Sequence, residues 1–519
     1  KSYLSDFMPP TLNIVLLFPK DGKNVGTNGV KIPVNQDINS RQKIVNSKMY
    51  EDTIIKKNVK TVDVQKEIEE LDILKLKPTE SNLKNFEENL YPWMFNDLSE
   101  EIFRQYEAKP HLIKTASDKL YKDSLAYSLN TKVQSKYFSE AKLLKKQKNW
   151  AYGGHYDWRF FNKLDNFSDK KKPIISNLLA AWLKFTNTYN IKTWIAHGSL
   201  LSWYWNGAVF PWDVDIDVQV PISELHKLAQ GFNQSIIVDL GLENGDEIRY
   251  GRYFLDCGSW ISHRERENGA NIIDARFIDI DTGLYIDITA LALSNTKIPS
   301  KYKSLGFKTY QLTPNKPPLE QFHKLNNEKG QFYNCRNNHF VHLLQVSPLR
   351  MSYVEGVPCL IPNDFIGMLA VEYKQKSLIE KSFKPVASTF MMRLQLWVSN
   401  LALSKYYKDQ ESDVPPKIPP PPVNSSPKLQ RDHDPFANWE DSHYIKFLEM
   451  FPEIMEEYYL MRNITLLHEK ERRLYESTRL PKSVVMNKGK QLFNFPRLRH
   501  DVWNYERDFE VALFDKELN

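Results

Sequence analysis

Along the middle of the chain the apolar positions change period twice, and each change marks an element. From Ile174 to Tyr189, the residues Ile175, Leu178, Leu179, Trp182, Leu183 and Phe185 recur at intervals of three and four, which predicts a helix with one apolar face. Thr193 to Ala196 reads as a short buried strand, and Leu200 to Trp205 as a short helix closed by the turn pair Asn206 and Gly207. Asp213 to Val220 then alternates strictly. As a strand it places Val214, Ile216, Val218 and Val220 on one side and Asp213, Asp215 and Asp217 on the other. Further on, Ile278 to Asp281, a turn at Thr282 and Gly283, and Leu284 to Thr289 predict a β-hairpin.

The flanks carry weaker patterns. Residues 1–149 mix short extended pieces with charged runs such as Lys56 to Glu70, and read as a stem with an accessory lobe. Residues 150–410 hold the patterned centre. Within them Val386 to Tyr407, with Phe390, Leu394, Trp397, Leu401 and Tyr406, predicts a buried amphipathic helix. Residues 411–428 include Pro415, Pro416, Pro419 to Pro422 and Pro427; proline lacks the amide donor and fixes φ, so a linker or exposed loop is expected. In the remainder, 429–519, Phe447 to Tyr475 has the helical spacing of surface helices.

Composition bounds the function. A chain of 519 residues has room for two to four domains, and 41% hydrophobic with 26% charged residues excludes wholesale disorder. Lys+Arg 70 against Asp+Glu 64 gives +6, interspersed along the chain, which argues against a dedicated nucleic-acid binder. The window nearest to one, Leu12 to Phe18, is far short of the roughly 18–20 apolar residues of a spanning helix, so the given chain is expected to be soluble. Cys257, Cys335 and Cys359 are too few for a disulfide framework, though one bridge with a thiol left over is open. Sequons at Asn166, Asn233, Asn424 and Asn463 point only weakly to a secretory compartment.

Chemistry concentrates in the acidic run. Three carboxylates side by side repel one another, and a bound cation relieves the repulsion. Carboxylates at such spacing can hold one divalent ion or bridge two; an exposed edge strand with an acidic face is the competing reading. Gly198 and Ser199, at a strand-to-helix turn just upstream, favour the metal reading, because free amides at a helix start make an anion site. Asp287, flanked by Ile286 and Ile288, is the expected third carboxylate; Asp279 and Asp281 flank the turn and read as surface acids. His197 either contacts phosphate or makes a structural hydrogen bond. Arg252 and Arg276 are the arginines chosen to meet phosphate oxygens, and Trp205 and Trp212 the rings chosen to stack on substrate. His339 and His342 are three apart with no acid or cysteine at ligand spacing, so no metal is assigned to them.

The run from His197-Gly-Ser-Leu-Leu through Pro211-Trp-Asp-Val-Asp-Ile-Asp217 resembles, without a gap, the signature of LicD/fukutin-like phosphotransferases. Ser347-Pro-Leu-Arg350, Glu355-Gly356 and Leu360-Ile-Pro-Asn-Asp364 are similar to the stretch that closes that domain, so the resemblance spans about Lys170 to Tyr373. It departs from bacterial members at Trp205, usually Arg, and at Val214, usually a second Asp. The resemblance implies an α/β (α+β) fold, a nucleotidyltransferase-like mixed sheet flanked by helices. It also implies Asp215 and Asp217 as metal ligands with Asp287 as third carboxylate, Asp213 beside them, and Mn2+ or Mg2+ as the ion. Tyr333-Asn-Cys-Arg-Asn-Asn-His339 and Met368-Leu-Ala-Val-Glu-Tyr373 resemble the fungal branch linked to mannosylphosphate addition on yeast cell-wall glycans. That branch implies a GDP-mannose donor, a mannose-rich N- or O-glycan acceptor, and the Golgi lumen, with a membrane anchor N-terminal to the given chain. Two other readings stand beside it: a CDP-choline or CDP-ribitol donor on the same fold, and a non-catalytic glycan-binding regulator of a separate transferase.

Overall fold

The computed structural model describes residues 11–19, 27–34, 79–80, 87–131, 138–141, 144–147, 150–152, 154–162, 168–243, 247–262, 264, 272–305, 318–336, 339–410 and 414–476. The charged run 56–70, the Asn166 sequon, His263, Arg266 and the terminal 477–519 lie outside them.

Among the described residues, nine strands make one mixed sheet: β1 (Asn13–Pro19), β2 (Thr27–Pro33), β3 (Thr79–Glu80), β4 (Trp194–Ile195), β5 (Ile216–Pro221), β6 (Ser235–Glu243), β7 (Glu247–Cys257), β8 (Ala275–Asp279) and β9 (Tyr285–Leu291), in spatial order β3-β2-β1-β6-β7-β8-β9-β5-β4. Two neighbouring pairs are parallel, β1 with β6 and β9 with β5; the others are antiparallel. Every residue of β9 is buried, as expected of a central strand covered on both faces.

The predicted apolar stripe becomes helix α3 (Ser168–Thr188), which follows α1 (Ser99–Ala108) and α2 (Ala116–Asn130). Trp182 and Phe185 pack on Phe277 of β8, with ring centroids 5.4 and 6.3 Å apart. This seats α3 against β7, β8 and β9. Helix α4 (His197–Asn206) ends at Gly207, whose φ of 74° is left-handed; a Cβ there would lie 3.0 Å from the His468 ring, so both conformation and space call for glycine. Helix α5 (Ile222–Gly231) follows β5 and packs on β5, β7 and β9. The predicted hairpin is β8 and β9, and its Gly283, at φ 86°, leaves no room for a Cβ against the backbone of Asp157 and Phe161.

Three expectations change. First, β1 and β2 extend the same central sheet, so residue 149 is not a boundary of that sheet. Second, Val386 to Tyr407 is not one helix: β12 (Ser388–Met391) and β13 (Leu396–Ser399) form a hairpin before α7 (Asn400–Asp409), and Leu401 is 79% exposed. They follow the hairpin of β10 (Leu349–Val354) and β11 (Val357–Ile361) and helix α6 (Phe365–Tyr373). Third, the acidic run is a strand only from Ile216 onward. Asp213 and Asp215 lie in the turn before it, where the Asp215 amide donates to Asp213 Oδ1 at 3.3 Å. The proline-rich stretch is non-helical up to Pro427, which opens a short helix at a position where its missing amide costs nothing. Beyond it, α8 (Asp441–Met450) and α9 (Pro452–Glu476) build a second core around Tyr406, Phe436, Trp439 and Phe447, and α9 lies against α4. All three cysteines are buried free thiols, and Asn233 is buried with its side chain accepting the Cys257 amide at 2.9 Å. No helix among the described residues is long and apolar enough to cross a membrane.

Candidate functional site

Register places the acids. Because β9 and β5 run parallel with Asp287 opposite Asp217, the two carboxylates stand side by side on neighbouring strands. Asp215 joins them from the turn, so one oxygen of each of Asp215, Asp217 and Asp287 lies within 4.8 Å of the others. Asp213 falls outside that group; its Oδ2 sits 3.5 Å from where a Cβ on Gly198 would be.

The surroundings hold these carboxylates rather than neutralise them. The Asp217 amide donates to Ser199 Oγ at 3.1 Å, and the Ala196 amide to the Asp217 carbonyl at 3.0 Å. The turn that opens α4 is thereby clamped to the acid-bearing strand. Arg276, opposite Asp287 on β8, donates from Nε to Asp287 Oδ1 at 3.2 Å and from Nη1 to Asp157 Oδ2 at 3.3 Å, with its guanidinium over the Tyr285 ring. Arg276 thus bridges two carboxylates, and Arg159 holds Asp157 from the other side. Burial pushes Asp287 up to about 7, against the pull of Arg276 and with the charge of Asp215 adding to it. Burial likewise raises Asp217 well above the usual carboxylate range, with Asp215 and Asp287 contributing, and lifts Asp213 to about 6.

One observation fits a cation directly. Asp215 Oδ1 is buried and makes no hydrogen bond; its charged neighbour is His155 Nδ1, 3.5 Å away, which makes none either. Such atoms are costly in a native fold unless something else satisfies them. Three hard oxygen donors suit Mg2+ or Mn2+. The first-turn amides of α4, Gly198 and Ser199 among them, have no intrahelical acceptor and carry the positive end of the helix dipole. Ser199, however, is 2% exposed and its hydroxyl is engaged with the Asp217 amide, which makes it a clamp.

The other expected residues divide. His197 takes a left-handed backbone, φ 49°, and donates from Nδ1 to Glu372 Oε1 at 2.6 Å. Burial alone would press its pKa down, but Glu372, with Asp217 and Asp215 behind it, holds it up at about 9. Arg252 is paired with Asp281 in the hairpin turn, away from the three acids, and Arg276 is the structural partner of Asp287; neither guanidinium is left to meet phosphate. Trp205 is buried against Phe390 and Trp397 and donates to the Ser377 carbonyl at 3.2 Å, so it is a core residue. Trp212 is half-buried, stacked on Phe210 and on Phe383. Asp279 accepts the amides of Asp281 and Thr282 and shapes the hairpin turn.

Sequence reasoning missed His155, Glu372 and the Asp157 partner of Arg276, because each reaches the site from a distant segment. The pair Gly153 and Gly154 just before His155 was the one local signal available.

Residues 190–249 match the model of the LicD/FKTN/FKRP nucleotidyltransferase domain. Over 351 residues, 53% of this chain and 29% of the relative, the sequence is 32% identical to mannosyltransferase regulator 4 of Saccharomyces cerevisiae. Over 378 residues, 56% of this chain and 39% of the relative, it is 31% identical to mannosyltransferase regulator 14 of the same yeast. The matches thus take in well under half the length of these curated relatives. The matched stretch, similar to a LicD/FKTN/FKRP nucleotidyltransferase domain, contains the α4 turn and two of the three clustered acids, and β9 of the mixed sheet supplies the third.

Proposed function

We propose that this chain transfers mannose-1-phosphate from GDP-mannose to a mannose hydroxyl of a protein-linked glycan, releasing GMP. The observation that carries the reading is the convergence of Asp215, Asp217 and Asp287, with Asp215 Oδ1 buried and without a hydrogen bond, beside the opening turn of α4. Asp215, Asp217 and Asp287 would hold Mn2+ or Mg2+. A bound divalent ion there supplies charge neutralisation on the phosphoryl oxygens and lowers the pKa of the incoming hydroxyl.

The rest falls to the chain itself. First-turn amides of α4 face developing negative charge on phosphate. The acceptor oxygen forms a bond to the sugar-proximal phosphorus as the bond from that phosphorus to the bridging oxygen breaks, and GMP leaves with that oxygen. The hydroxyl proton passes to a carboxylate, and Asp213, which stands outside the three-acid group and which burial raises to about 6, is matched to that task near neutral pH. The compartment that fits this chemistry is the Golgi lumen, where mannose-rich glycans and a nucleotide-sugar donor meet.

A second reading has an observation of its own. Both curated relatives are described as mannosyltransferase regulators, which supports a role in which the domain binds glycan or donor and modulates another enzyme. Incubating the purified chain with Mn2+ and GDP-mannose, CDP-choline or CDP-ribitol, with a mannose oligosaccharide, separates the readings. GMP release with a phosphodiester-linked product supports the proposal; CMP release moves the donor to a cytidine diphosphate alcohol. No turnover, together with stimulation of a separate mannosyltransferase, establishes the regulator.

A further inference from the structure

Behind the α4 turn lies a second group of metal-ligating side chains that the transfer reaction does not use. His197, His339 and Glu372 bring one ligand atom each within 4.8 Å of one another. Glu372 Oε1 is 2.6 Å from His197 Nδ1 and 3.9 Å from His339 Nε2, and the two imidazole rings lie 4.3 Å apart. Ligand atoms bonded at the usual ~2.0–2.1 Å around a tetrahedral ion sit about 3.3 Å apart, so these separations straddle the required value.

The opposite nitrogen of each ring is already held. The Gln219 amide nitrogen lies 3.3 Å from His197 Nε2; metal at Nδ1 displaces the proton that Nδ1 shares with Glu372 and requires the Gln219 amide to present its oxygen to Nε2 instead. Cys335 Sγ lies 3.6 Å from His339 Nδ1, which leaves Nε2 toward Glu372. Anchoring the far nitrogen in this way fixes tautomer and ring orientation in metal sites. The three residues also line one cavity of about 30 Å³, shared with Tyr302, Gln345 and Gln219, which has room for a water as fourth ligand.

We propose that His197, His339 and Glu372 form a zinc site, distinct from the three-carboxylate cluster, with its fourth position open to the cavity. Two nitrogens and one carboxylate are a borderline-soft set that suits Zn2+, whereas the all-oxygen aspartate cluster suits Mg2+ or Mn2+. Zinc here would pin the residue that precedes Gly198 and so brace the opening turn of α4.

The test uses the full chain stripped with chelator and titrated with Co2+ or Zn2+ alone. The expected result is about one zinc per chain, intense visible Co2+ absorption of a tetrahedral site, and full retention of both in the Asp215→Asn/Asp217→Asn variant. His339→Gln and Glu372→Gln should each weaken zinc at least about tenfold and abolish the Co2+ bands. A wild-type chain that takes up no zinc and gives no tetrahedral bands overturns the proposal even if the variants fail to fold. So does zinc uptake that survives His339→Gln and Glu372→Gln but is lost with the aspartates. Neither result depends on donor turnover, so this site and the proposed reaction can fail separately.

Discussion

Replacing Asp287 with asparagine should stabilise the metal-free chain at neutral pH while removing metal binding. Its folded pKa of about 7 stands above the ordinary 3.8 because burial and the charge of Asp215 outweigh Arg276. A carboxyl with a raised folded pKa contributes stability that is fully present below about pH 4 and is lost as pH rises through about 7. The ionised form at pH 8 therefore costs on the order of 4 kcal/mol relative to a neutral group in the same place. Asparagine approximates that neutral group, and its Oδ1 can still accept the Arg276 Nε proton. Thermal and denaturant melts in chelator should show Asp287→Asn more stable than wild type at pH 8, with the gap shrinking steadily toward pH 4. Excess Mn2+ should narrow the gap to roughly 1–2 kcal/mol, since a ligand at 100 times its Kd adds about 2.7 kcal/mol to the chain that binds it. A variant less stable than wild type at pH 8 in chelator, or a gap indifferent to pH, refutes the reasoning.

Other substitutions separate clamp, counter-ion and packing. Ser199→Ala removes the acceptor of the Asp217 amide, should cost about 1 kcal/mol of stability in a denaturant melt, and should weaken Mn2+ binding without abolishing it. Arg276→Met leaves the buried Asp287 without its guanidinium, while Asp157 keeps Arg159, and should lower stability by about 3 kcal/mol in the same melts. Gly207→Ala forces a left-handed alanine against the His468 ring, and a drop of about 1–3 kcal/mol is expected, read as a lowered melting temperature.

What the sequence made legible was local. Alternation around Ile216 and Val218 and the isoleucines flanking Asp287 located two strands and their acids, since period-2 patterning needs no knowledge of the rest of the chain. Which strands are neighbours was not written there, and the pairing of Asp287 with Asp217 comes from a parallel register between segments about 70 residues apart. His155, Asp157 and Glu372 were invisible for the same reason. The misread segment at Val386 is instructive because Phe390, Leu394, Trp397 and Leu401 do fit helical spacing. Ser388 to Met391 and Leu396 to Ser399 fit strands equally well, and the left-handed Gln395, φ 55°, turns the chain between them. Trp205 misled differently, since an aromatic near a candidate site can as easily be the wall behind it, and here Phe390 and Trp397 cover it.

The central claim is that Asp215, Asp217 and Asp287 jointly hold a divalent cation. Mn2+ titration of the chelator-treated chain, followed by the loss of the free-ion paramagnetic resonance signal, measures this without assuming any reaction. The account predicts saturable binding by wild type that weakens by at least about tenfold in Asp217→Asn and in Asp287→Asn alike, an order-of-magnitude expectation for losing a carboxylate ligand. Equal Mn2+ affinity in wild type and both variants would contradict it.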